Sequence, residues 1–128
     1  MSKKVADISS AELKNLVVLG MQEKKAEDVI VLDLREIENA VTDFFVLCSA
    51  NSDTQVGAIA DAIEEEVHKK AHQNPWHSEG KKEREWVLID YVNVVAHIFR
   101  SSKREFYGLE NIWGDAKIER ISEKSMSE

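Results

Sequence analysis

From residue 86 to residue 99 almost every side chain is apolar. Trp86, Val87, Leu88 and Ile89 lead to Asp90, and after Tyr91, Val92 and Asn93 the run resumes as Val94, Val95, Ala96, His97, Ile98 and Phe99. β-Branched and aromatic residues at this density suit a pleated surface better than a helix. Two strands, 86–90 and 94–99, are predicted. The short connection predicts a tight antiparallel hairpin, with Asn93 the residue best able to take a turn conformation. Alternation sets Trp86 and Leu88 against Val87 and Ile89, and Val94, Ala96 and Ile98 against Val95 and Phe99. Both faces are apolar, which predicts strands inside a sheet covered on both sides.

Helical spacing appears in three places. Ser9 and Glu12 form a capping box ahead of Leu13, Leu16, Val17 and Gly20, predicting a helix to about residue 25. Ser52 and Gln55 cap a second helix running to about Ala71, with Val56, Ile59, Ala60, Ile63 and Val67 as its buried stripe. Ser102 and Glu105 open a third, which Gly114 is placed to stop. On that short helix Phe106, Tyr107, Leu109, Ile112 and Trp113 span an arc of roughly 220°, where packing on one core needs little more than ~100°. The surplus is the composition of an interface anchor. Strands over 29–34 and 43–49 complete the order helix, strand, strand, helix, strand, strand, helix. That order predicts an α/β fold with a mixed sheet of four to five strands and helices on both faces. A single domain over 1–118 is expected, with a polar, disordered tail over 119–128.

Composition narrows the function. A chain of 128 residues with one cysteine can build its core without disulfides or metal, and Cys48 reads as a small buried hydrophobe in a reducing compartment. Neither a membrane span nor the apolar core of a signal peptide is present, so a cytoplasmic protein is expected. Net charge is −7, and between Val29 and Glu66 nine acidic residues face one basic residue, Arg35. That segment would repel RNA and suits a basic protein partner. Lys69 with Lys70, and the basic groups at 81–84 and 100–104, could touch RNA phosphate only at a rim.

Catalytic chemistry finds little support. His68 and His72 stand one helical turn apart, but Lys occupies position 69 where a zincin needs Glu, and a third ligand such as His77 is not fixed. Nucleotidyl transfer requires clustered carboxylates for divalent metals and a Gly-Ser turn; the strand end offers Asp90 alone, and the loop into the second helix reads SANSD. No phosphate-binding loop and no base for a Ser or Cys nucleophile can be found. No cofactor, metal or enzymatic activity is expected.

The stretch EWVLIDY, followed by AHIF and REFYGLENIWGDA, resembles the signature of the RsfS or Iojap family of ribosomal silencing factors, and VTDFFVLCSANSDTQVGAIADAI resembles the same family upstream, in order and spacing. Together they cover about residues 29–116. The resemblance implies an architecture similar to a nucleotidyltransferase core without its catalytic residues. It also implies binding to the large ribosomal subunit through ribosomal protein uL14, where the factor blocks an intersubunit bridge and represses translation under nutrient limitation. Trp86, Asp90, His97, Tyr107, Leu109, Glu110 and Trp113 are the candidate partner-binding residues, His97 also reading as a buried structural histidine. A large-subunit assembly factor and, more remotely, a nucleotidyltransferase-like enzyme are the alternatives. A homodimer could cover the aromatic arc in the free protein. Three positions depart from the usual family pattern: Thr54 replaces Arg, Val92-Asn93 replaces Gly-Asp, and Ala96 replaces a β-branched residue.

Overall fold

The computed structural model describes residues 8–101 and 116–121. The elements are α1 (Ser10–Glu23), β1 (Glu27–Asp33), β2 (Phe44–Ala50), α2 (Asp53–Ala71), β3 (His77–Glu79), β4 (Trp86–Asp90), β5 (Val94–Arg100) and β6 (Lys117–Arg120). The helix expected over 102–114 lies outside the described residues, and with it Tyr107, Leu109, Glu110 and Trp113.

Both described helices begin where local chemistry dictates. The Ser9 hydroxyl accepts the Glu12 N–H at 3.0 Å, while the Glu12 carboxylate accepts the Ser9 N–H at 3.1 Å. Ser52 accepts the Gln55 N–H at 3.1 Å. The Gln55 side chain then reaches across to donate to the carbonyls of Lys24 and Lys25 at 3.2 and 3.1 Å, satisfying acceptors left open at the end of α1. α1 and α2 lie against each other on one face of the sheet. Leu13, Val17 and Met21 from α1 join Val56, Ile59, Ala60, Ile63 and Val67 from α2 over Val31, Val46, Val87, Ile89, Val94, Ala96 and Ile98. The crossing is tight at Gly20, where a Cβ would stand 2.6 Å from the Ile63 Cα.

The sheet is open, mixed and six-stranded, in the order β3-β4-β5-β2-β1-β6. β4 and β5 form the expected hairpin, and β5 runs parallel to β2 with Phe44 opposite Val94 and Ala50 opposite Arg100. All other neighbours are antiparallel. Its second face is also buried, by Ile30, Leu32, Leu34, Phe45, Leu47, Val95 and Phe99. Burial on both faces is why β2 is solvent-shielded along its whole length.

Two strands, β3 and β6, add to the four placed from the sequence. β3 comes from the polar loop after α2 and β6 from the polar stretch after Ala116, where no element was expected. Both are edge strands held by backbone pairing: β3 on Leu88–Asp90, and β6 on residues 30–33 of β1. Such strands need no apolar pattern of their own, and charged side chains on an edge also discourage further pairing. The hairpin differs in one detail. The residue with positive φ is Val92, at 78°, not Asn93. The Asn93 N–H returns to the Tyr91 carbonyl at 2.9 Å around it, a γ-turn. The Asn93 carbonyl instead receives the N–H groups of Asp43 and Phe44 at 3.0 and 3.2 Å, tying the turn to the start of β2.

Candidate docking face

The second face of the β4–β5 hairpin carries three of the residues singled out from the sequence. Strand alternation places Trp86, Leu88 and Asp90 on it, and antiparallel pairing sets Trp86 opposite Phe99, Leu88 opposite His97 and Asp90 opposite Val95. β2 extends these rows, with Leu47 opposite His97 and Phe45 opposite Val95.

Trp86 and His97 meet. The indole Nε1–H donates to His97 Nδ1 at 3.0 Å, and the two ring centroids are 5.9 Å apart. Phe99 stacks on Trp86 at 5.3 Å, and Phe45 meets His97 edge-on at 4.9 Å. Trp86 is half-buried, while His97 is only 3% exposed. Burial pushes the His97 imidazole down to about 4, so the ring is neutral at physiological pH. Because Nδ1 accepts from the indole, Nε2 carries the proton, and that atom is buried with no hydrogen-bond partner among the described residues. His97 therefore orients Trp86 from below; the exposed part of the pair belongs to the indole.

Asp90 stands at the far end of β4. Its carboxylate accepts the Val92 N–H at 2.7 Å, closing the turn as a strand-end cap. Behind the turn, burial raises the Tyr91 phenol well above its ordinary range, and its hydroxyl has no hydrogen-bond partner among the described residues. β3 pairs only with Leu88–Asp90, so Trp86 lies beyond its end. The chain turns there at Gly80, whose φ of +84° and approach to the Trp86 carbonyl, 2.1 Å from where a Cβ would sit, admit no side chain.

Phe45 and Phe99 complete the aromatic cluster and were not among the candidates. Phe99 shares parity with His97 and was legible on that ground. Phe45 was not, because its place depends on the parallel β2–β5 register.

Arg35 forms a bidentate pair with Asp33, at 2.8 and 3.0 Å, which holds the Asp33 carboxyl below its usual range. A depression of about 210 Å³ between α1, β1 and β6 is lined by Lys14, Arg35 and Lys117 against Asp33 and Glu119. Among the described residues no three His, Cys, Asp or Glu side chains converge to hold a metal ion. No helix among them is long and apolar enough to cross a membrane.

Residues 7–128 match the family described as "ribosomal silencing factor during starvation", RsfS. The chain belongs to the RsfS family. It is 38% identical over 109 residues to the ribosomal silencing factor RsfS of Halalkalibacterium halodurans, covering 85% of this chain and 92% of that one. A crystal structure from Chromobacterium violaceum superposes with a TM-score of 0.78 at 27% identity, covering 90% of this chain and 94% of the other. A mouse protein named for mitochondrial assembly of the ribosomal large subunit is 28% identical over 101 residues, covering 77% of this chain and 44% of its own length.

Proposed function

We propose that this RsfS-family protein silences translation by occupancy: it binds the large ribosomal subunit through ribosomal protein uL14 and sterically prevents the small subunit from joining. The observation that carries the reading is the Trp86 indole, partly exposed and held by Phe99 and His97 on the second face of the β4–β5 hairpin. A preordered aromatic loses little side-chain freedom on binding, which suits an interface anchor. The acidic body, with net charge −7, favours a basic partner and speeds its encounter. Asp90 contributes charge at the other end of the same strand, and His97 acts through Trp86. Tyr107, Leu109, Glu110 and Trp113, in the sequence that follows, are assigned the same docking role.

Purified large and small subunits, mixed in Mg²⁺ with excess protein and separated on sucrose gradients, test this reading. Joining should fall in proportion to protein bound. Tyr107→Ala should weaken binding to large subunits tenfold or more, on the order of 1–2 kcal/mol, and restore joining. Undiminished joining at saturation would overturn the proposal.

The mouse relative's name supports a second reading, action during assembly of the large subunit. The two separate in the same gradients. A silencer keeps mature subunits apart, whereas an assembly factor leaves them free to join and its loss allows immature particles to accumulate.

A further inference from the structure

In a chain this acidic, residues 67–78 are unusual in containing no Asp or Glu while holding Lys69, Lys70 and three of the four histidines. The fold gathers them into one corner. His68, Lys69 and Lys70 lie in the last turn of α2, and His72 caps it in the left-handed conformation with φ 57°. The chain then doubles back, bringing the Asn74 side chain within 3.2 Å of His68 Nδ1. After Pro75, the Trp76 N–H donates to the Asp90 carbonyl at 2.8 Å, fixing the Trp76 backbone to the outer edge of β4.

Trp76 is 74% exposed, and it is the only large aromatic left exposed among the described residues. The His77 ring stands 5.9 Å from it at 60°. Lys69 has no ion pair among the described residues; Lys70 pairs with Glu66 at 2.8 Å, and His77 with Glu79 at 2.7 Å. The segment thus presents an open indole on a fixed backbone, with the His77 ring beside it and Lys69 and Lys70 in the helical turn that precedes it. A basic protein would be opposed by Lys69 and Lys70. A duplex hides its base faces and would gain nothing from the indole. A single-stranded nucleic acid offers both a base to stack and a phosphate for the lysines.

We propose that this corner binds single-stranded RNA, one unpaired base stacking on Trp76 and two adjoining phosphates resting on Lys69 and Lys70. The segment adjoins the Asp90 end of the β4–β5 hairpin, but the inference does not rest on the docking reading and is measured without ribosomes.

The test is fluorescence anisotropy of a labelled single-stranded RNA of about ten nucleotides titrated with the intact protein at low salt, with a duplex of the same length alongside. Saturable binding of the single strand, preferred over the duplex, is expected. Trp76→Ala should weaken it about tenfold, and Trp76→Phe should retain most of it. With two phosphates engaged, log affinity should fall against log salt with a slope of about −1.4, and Lys69→Gln should make the slope shallower by about 0.7. No saturation below roughly 100 µM, equal binding of the duplex, or unchanged affinity in Trp76→Ala would each overturn the proposal. Trp76 is exposed, so loss of binding in that variant would not arise from unfolding.

Discussion

The indole N–H of Trp86 points at Nδ1 of His97 across 3.0 Å, and this bond decides which nitrogen of a buried imidazole bears the proton. It leaves the donor at Nε2 unsatisfied within an aromatic cluster, a cost carried by the surrounding packing.

Stability should therefore depend on pH through His97. Its folded value lies near 4, below the 6.5 expected of an unfolded histidine, so the unfolded chain binds the extra proton first. The contribution is fully present above pH 6.5 and is lost as pH falls towards 4. Urea unfolding at pH 5 should show about 2 kcal/mol less stability than at pH 7 from this group. His97→Gln should flatten the curve across that window. An unchanged slope in the variant would assign the effect to other groups.

Trp86→Phe keeps a ring against Phe99 but removes the donor, stranding Nδ1 in the core. A loss of roughly 1–3 kcal/mol is expected in denaturant titrations. Histidine ¹⁵N chemical shifts should also report a mixture of tautomers where the parent shows one.

Val92 is β-branched and holds a φ of 78°, a conformation that costs such residues on the order of 1–2 kcal/mol. Val92→Gly relieves it. After the added freedom of the unfolded chain, a net gain of about 1 kcal/mol should remain, read as a rise of about 4 °C in Tm. A fall in Tm would mean that the exposed Val92 side chain contributes more than its backbone strain removes.

Gly20→Ala should act the other way. The added methyl meets the Ile63 Cα and Ala62 carbonyl of α2, neither of which can swing aside. The helices must separate, at a cost of about 2 kcal/mol in thermal or chemical unfolding.

Local signals were legible in the sequence, and long-range ones were not. Ser9 with Glu12, and Ser52 with Gln55, located both described helix starts because a cap is a contact between residues three apart. The Val56, Ile59, Ala60, Ile63 and Val67 stripe is buried as its spacing predicts, and alternation sorted the β4–β5 hairpin correctly between its faces. β3 and β6 were invisible because HSE and KIER become strands only by pairing with β4 and β1. The turn was placed correctly but its strained residue was not. Asn93 has the better intrinsic tolerance, yet its carbonyl is held by the N–H groups of Asp43 and Phe44, and the positive φ falls on Val92. At the candidate face, sequence could pair Trp86 with the parity of His97, but bringing Phe45 against the imidazole required the β2–β5 register.

That register also sets an order of events. Each residue of β2 waits for a partner fifty positions further along the chain, so the middle of the sheet cannot close while the nascent polypeptide still lacks its 94–100 segment. Until then β2, apolar on both sides, has only β1 beside it. The caps of α1 and α2 and the α1–α2 crossing can form early from nearby sequence, whereas closure is a late, long-loop step. Synthesis must pass three-quarters of its length before this protein acquires the hairpin on which Trp86 is mounted.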